Sequence, residues 1–479
     1  MRIQLSKQLT ALICIALSVA VYLINPFGVK PEATKVIAFA TLMISLWVTE
    51  ALPMPVVALL PLVLFPLFSI APVDATASGY ANPVIFLFMG GFMLGLAIEK
   101  WNLHRRIALS IVQLTGTSGN RIILGFIIST GLISMWLSNT ATTMMMFPIA
   151  MSVVKVMEEN REHQKGMSNF ATCIMIAIAL ASNFGGIATL IGTPPNVAYA
   201  GFINKKYHYT VAFVDWLLVC MPLAILLLFI LYFVMVKWLY PNYMKSDEAT
   251  RSVIHNELTA LGPYTQPEKR VFIIFLCTAA LWITKDLLNK VSPLKLDDNM
   301  IAIIGATALF ITPSGREKET LLEWKDTKNM AWGILLLFGG GIALASALEK
   351  AGLIEQLGQW FAQFGFNQLM LIFLVTLVSL FVSEVMSNVA QVIVFAPVVS
   401  GLAEAAHLHP LQLGIPMTLA ALCASMLPMG TPPNAIAFSS GYIKLKQMTR
   451  VGFVMNIISV ILITLFCWLL LPLVFPLSP

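Results

Sequence analysis

The sequence predicts an all-α membrane protein, with eleven transmembrane helices and two re-entrant helical hairpins arranged as two inverted repeats. Three observations predict it. The chain of 479 residues is 58% hydrophobic and only 11% charged, with mean hydropathy +0.85, whereas a soluble domain carries about 25% charged residues. The pentapeptide Gly-Thr-Pro-Pro-Asn occurs twice, at 192–196 and 430–434, each time downstream of an apolar segment broken by Ser-Asn. Lysine and arginine also divide unequally between the two membrane faces that this arrangement creates.

A span needs about 20 apolar residues. Spans fit residues 9–25, 33–50, 56–70, 83–99, 170–191, 211–239, 271–288, 299–312, 330–348, 411–429 and 451–471. Arg2 and Lys7 precede the first apolar stretch, but no small-residue cleavage site follows, so it reads as a span and not a leader. Segments 119–156 and 366–403 are each long enough for two short helices but polar at the centre, at Ser138-Asn139 and Ser387-Asn388. Re-entrant hairpins survive at that depth only where protein or water surrounds them. With a cytoplasmic N-terminus, 21 Lys and Arg fall inside and 8 outside, the bias expected of a membrane protein. An odd number of spans then puts the C-terminus outside.

The repeat divides the chain. Residues 1–118 form a first scaffold part, 119–240 a first transport part, 241–269 a hydrophilic cytoplasmic linker, 270–365 a second scaffold part and 366–479 a second transport part. Phe88-Met89-Gly90-Gly91 with Glu99-Lys100 recurs as Phe338-Gly339-Gly340-Gly341 with Glu349-Lys350. The two hairpins enter from opposite sides, so the repeats are inverted, as in many secondary transporters. The glycine runs suit close helix packing. Trp47, Trp101, Trp216 and Trp468, near span ends, suit interfacial anchoring.

Several function classes are excluded. The six cysteines lie within apolar segments without a metal-type pair, and His407 and His409 lack a third ligand. The net charge of +6 is spread over loops and fits no nucleic-acid partner. Neither His-Glu-x-x-His nor Gly-x-Ser-x-Gly is present, which counts against an enzyme.

At the first hairpin tip the second helix should begin at Ser138-Asn139-Thr140, aiming free N–H groups at mid-membrane, where they suit a carboxylate. Ser134 lies one turn before Ser138, which should place both hydroxyls on one helical face. Gly192 would add a carbonyl if the chain unwinds at Gly192-Thr193-Pro194-Pro195. Ser383, Ser387, Asn388, Gly430, Thr431, Pro432 and Pro433 repeat the pattern. Hard oxygens without a carboxylate suit sodium. Two such clusters would hold one dianion between two sodium ions. Glu384, near the second tip, is either functional by virtue of its depth or a hydrogen-bonding group within the hairpin.

The paired Ser-Asn tips and paired Gly-Thr-Pro-Pro-Asn segments resemble the divalent anion:sodium symporter family (solute carrier 13, or INDY-type), over nearly the whole chain from Ala33 onward. The resemblance implies a homodimeric elevator transporter in a bacterial inner membrane, with Na+ co-transported. Carried over, one sodium site uses Ser134, Ser138, Asn139 and Gly192, and the other Ser383, Ser387, Asn388 and Gly430. Substrate meets Ser138, Asn139, Thr140, Ser387, Asn388, Val389, Thr431 and Pro432. Val389 stands where some bacterial members have a second threonine, which fits di- and tricarboxylate carriers. The expected cargo is a C4 dicarboxylate such as succinate, malate or fumarate. The alternatives are a sodium-independent exchanger, or a sulfate or citrate carrier, on the same fold.

Overall fold

The computed structural model describes residues 6–116, 118–159, 166–242, 244, 248–291, 293, 295–316, 319–353, 356 and 367–475. The expectations placed on Arg2, on Arg161, Lys165, Lys245 and Lys318, which are among the 21 Lys and Arg counted as cytoplasmic, and on the hairpin start at 366 lie outside them.

The described chain is helical, with a single isolated β-bridge between Pro313 and Thr320. α1 (Lys7–Ile24) is capped by Ser6, whose hydroxyl accepts from Leu9 N at 3.2 Å, and stops at Asn25 in the left-handed region, φ 45°. It packs along α2 (Pro31–Thr49). α3 (Met54–Leu67), the short α4 (Val73–Ala77) and α5 (Pro83–Lys100) come next. α6 (Leu103–Thr115) follows, then the hairpin helices α7 (Gly119–Ser134) and α8 (Asn139–Glu159). α9 (Met167–Gly186) and α10 (Pro194–Tyr207) are two halves of one broken helix, ahead of α11 (Phe213–Phe233). α12 (Glu248–Ala260) leads into the second repeat: α13 (Gln266–Val291), α14 (Asp298–Ile311) and α15 (Trp332–Lys350). The second hairpin is α16 (Gln368–Ser383) and α17 (Asn388–Ala405), and the second broken helix is α18 (Pro410–Leu422) and α19 (Pro432–Phe438). α20 (Leu445–Val474) is the last.

Packing obeys the repeat. α5 lies on α14, and α15 lies on α3. Glycine permits both crossings: a Cβ at Gly90 would sit 2.7 Å from the Ala302 backbone, and one at Gly340 would sit 2.3 Å from the Ala58 carbonyl. The packing expected of the glycine runs is therefore found. Phe88 and Phe338 meet edge to face at 5.6 Å where the halves join.

Each expected span falls on a helix. Among the described residues, ten helical segments are long and apolar enough to cross a membrane. They include the hairpin arms α8 and α17 but not the shorter α3, α14 and α18, so length alone does not yield the count of eleven.

Three sequence expectations change. The linker holds a helix, α12, which is tied to α6. The buried Arg106 guanidinium binds Glu268 at 2.9 Å and the carbonyls of Leu261 at 3.2 Å and Gly262 at 3.0 Å. Arg105 pairs with Glu257. Three of the four tryptophans are internal tethers, not interfacial anchors. Trp47, Trp101 and Trp216 are buried and donate to the carbonyls of Met54, Leu321 and Ile187, while Trp468 is exposed. The broken helices, finally, open earlier than their spans implied.

Candidate functional site

The hairpin tips form as the Ser-Asn steps dictate. α7 ends at Ser134, residues 135–137 turn the chain, and α8 starts at Asn139. Ser138 caps α8, its hydroxyl accepting from Ala141 N at 3.2 Å. The second tip has the same form, with Ser387 preceding α17. The N-terminal ends of α8 and α17, where partial positive charge collects, therefore sit at the two tips.

Ser134 and Ser138 do not share a helical face, because α7 has ended between them. Ser134 instead reaches forward: its Oγ lies 2.9 Å from Asn139 Oδ1 and 2.7 Å from the Ser182 carbonyl. Ser383 Oγ lies 2.7 Å from Asn388 Oδ1 and 2.6 Å from the Ala421 carbonyl. Each hydroxyl has one proton for two acceptors. Lone pairs outnumber protons in both clusters, and a small cation is the natural complement.

The broken helices complete these clusters. α9 stops at Gly185-Gly186 and α18 at Leu422, leaving 187–193 and 423–431 without helix. Pro194 and Pro195, expected to unwind the helix, begin α10, as Pro432 and Pro433 begin α19. Proline at the first helical position forfeits no hydrogen bond. The pentapeptide's asparagine then ties the open segment. Asn196 Nδ2 donates to the carbonyls of Gly186 at 3.2 Å and Thr189 at 2.9 Å. Asn434 Nδ2 donates to those of Ala424 at 3.4 Å and Leu427 at 3.1 Å. Only glycine fits at the contact with the tip: a Cβ at Gly186 would fall 2.2 Å from Asn139 Oδ1, and one at Gly192 2.6 Å from the Gly186 carbonyl and 3.0 Å from that of Met135. Gly430 lies less tightly against the second tip, where a Cβ would fall 3.2 Å from Glu384 Oε2.

Two residues break the symmetry. The Glu384 carboxyl is buried and accepts from three successive backbone N–H groups, Ser425 at 2.8 Å, Met426 at 2.9 Å and Leu427 at 3.0 Å, and from Asn456 Nδ2 at 2.6 Å. It is the peg on which the second unwound segment hangs: its hydrogen bonds leave the hairpin, instead of staying within it as one of the two expectations had it. Its counterpart Met135 offers only a backbone carbonyl, to Thr189 Oγ1. Asn183, which the sequence reading missed, joins the halves. Its Oδ1 accepts from Asn139 Nδ2 at 3.4 Å, and its Nδ2 donates to Thr431 Oγ1 at 3.1 Å and Asn434 Oδ1 at 3.5 Å.

The distal half of each broken helix packs on the other repeat: α10 on α17, and α19 on α8 and α9. This brings Thr431 to the first tip through Asn183. Thr140, Ser387 and Val389 are half-buried on the tips and Pro432 is exposed. Thr140 and Ser387 make no side-chain hydrogen bond among the described residues, which leaves their hydroxyls available to a ligand. No group of three His, Cys, Asp or Glu suited to a metal occurs among the described residues.

Residues 5–475 match the family described as the sodium:sulfate symporter transmembrane region. The chain is 37% identical over 464 residues to proteins named sodium-dependent dicarboxylate transporter SdcS from Staphylococcus saprophyticus and Staphylococcus aureus, covering 94% of this chain and 88% of theirs. Among solved structures it resembles the Alcanivorax borkumensis YdaH transporter (TM-score 0.54, 12% identity, 84% of this chain and 88% of that one). It also resembles Neisseria gonorrhoeae MtrF, from a class of antimetabolite efflux pumps (TM-score 0.56, 13% identity, 98% and 96%). At such identities these two share the fold alone. The match across the whole chain, together with the paired tips and broken helices, makes it a transporter and not an enzyme, and a member of the divalent anion:sodium symporter family.

Proposed function

We propose that the protein is a sodium-coupled symporter of C4 dicarboxylates such as succinate, malate and fumarate. The observation that carries this reading is the pair of proton-poor oxygen clusters around Ser134 and Ser383, each next to a helix N-terminus. Sodium binds Ser134, Ser138, Asn139 and Gly192 on one side and Ser383, Ser387, Asn388 and Gly430 on the other. The dianion lies between them, on Ser138, Asn139, Thr140, Ser387, Asn388, Val389, Thr431 and Pro432. The carboxylates receive N–H and O–H donors from the tips, while helix C-termini at Ser134, Gly186, Ser383 and Leu422 face the cations. Two sodium ions cancel the charge of the dianion, so no buried Lys or Arg is needed at the tips. The relatives' names support sodium and dicarboxylate together.

The hairpins and broken helices, 119–240 and 366–479, move as one transport body against the scaffold in a homodimer. The N-terminus is cytoplasmic and the C-terminus lies outside a bacterial inner membrane. Purified protein in liposomes tests the coupling. Labelled succinate should accumulate only with an inward sodium gradient, and Ser134→Ala or Ser383→Ala should raise the sodium concentration for half-maximal uptake at least about tenfold. Succinate counter-flow undiminished without sodium would establish an exchanger instead.

A further inference from the structure

At the N-terminal end of α20 an open groove of about 540 Å³ is lined by Met426, Leu445, Lys446, Thr449, Arg450 and Phe453. Its walls are apolar, but its rim carries two exposed cations. Lys446 and Arg450 have no carboxylate partner among the described residues. The groove does not end at Phe453. The exposed Phe453, Ile457, Ile461, Leu465 and Leu469 follow one another at every fourth position, forming a continuous apolar ridge down α20. A pair of cations at the head of a long apolar track matches a ligand with an anionic head and a hydrocarbon tail. Free phosphate would have no use for the track, and a soluble peptide would not reach a ridge submerged in the bilayer.

We propose that this groove binds an anionic phospholipid, its phosphate between Lys446 and Arg450 and one acyl chain along the α20 ridge. Bound there, the lipid touches the transport machinery. Met426 belongs both to the groove and to the second unwound segment. Its carbonyl lies 3.5 Å from Thr449 Oγ1, and its N–H donates to Glu384 at 2.9 Å. A headgroup that holds Lys446 and Arg450 therefore steadies α20 against the segment that carries Gly430, and lipid composition sets how readily that segment moves. Binding itself does not depend on which ion or anion the protein carries.

Native mass spectrometry of the full chain in detergent, titrated with phosphatidylglycerol or phosphatidylcholine, tests the site. Phosphatidylglycerol should bind more tightly and raise the unfolding temperature. In the double variant Lys446→Gln, Arg450→Gln its affinity should drop about thirty-fold, from about one factor of five per cation, while phosphatidylcholine binding stays unchanged. The variant's unfolding temperature in phosphatidylcholine reports that it folds. Phe453→Ser, which keeps both cations, should weaken phosphatidylglycerol binding through the tail. Equal binding of phosphatidylglycerol to wild type and double variant would overturn the proposal. So would equal affinity for the two lipids, or stabilisation by inorganic phosphate alone to the same degree.

Discussion

Ser134 and Ser383 each face two acceptors with a single proton, and each is the last residue of its helix. These serines, both tip asparagines and both glycines were legible because the sequence writes them twice. Asn183 was not. The carbonyls that meet Ser134 and Ser383 belong to Ser182 and Ala421, which sets Asn183 against Leu422, while the asparagine ties set it against Ala421; both are apolar, and comparison of the repeats gives no signal there. Glu384 was visible as a carboxylate at mid-membrane, but its partners lie 41–43 residues onward in backbone N–H groups, which carry no sequence mark. Glu384→Ala leaves those three N–H groups buried without an acceptor, at about 1–3 kcal/mol for each group that water cannot reach. We expect a fall of at least about 3 kcal/mol in unfolding free energy and loss of uptake, with Glu384→Gln intermediate. Thermal unfolding of the purified variants measures it.

At the scale of elements, the hydropathy pattern located the spans but not their ends. The pattern implied that α9 and α18 ran on to 191 and 429, yet they stop at Gly186 and Leu422. The open residues Ile187, Ala188 and Leu190 are apolar and buried, so composition cannot separate them from helix. The Ile187 carbonyl is held by a side chain remote in sequence order, that of Trp216. The amphipathic α6 and α12 escaped notice because each is too short and polar to span. What holds them is the Arg106 cluster. Removing one partner of a buried ion pair costs about 3–5 kcal/mol, so Arg106→Ala should loosen the C-terminal end of α12 from α6, and adding Arg105→Ala, which also removes the Glu257 pair, should free it. Limited proteolysis should then cleave between 248 and 266 much faster, while sodium affinity stays unchanged, since no residue of the proposed site touches the cluster among the described residues.

For the whole molecule, the inverted repeat means that each broken helix is finished by the other half. On the elevator reading, α15 is the scaffold face along which α10 and α17 slide, and its contact is made close by glycine. A Cβ at Gly341 would come within 2.4 Å of Ile393 on α17. Overpacking there costs about 1–3 kcal/mol. If that cost falls on the moving step, Gly341→Ala lowers kcat about 5- to 150-fold and leaves KM for succinate near its original value. Equal loss in both constants would place the damage in the site instead.

The Asn183 bridge also sets a clock. Its partner Thr431 lies 248 residues further along the chain, and at about 5–20 residues per second the ribosome needs roughly 12–50 s to supply it. Through that interval the first hairpin stands in the membrane with the Asn183 Nδ2 group lacking both of its acceptors, Thr431 and Asn434. The nascent first half must therefore be sheltered, by water, the insertion machinery or another chain, until its own second half arrives. Ribosomes stalled before Thr431 should hold a chain whose first tip is still open to a thiol reagent at an engineered cysteine.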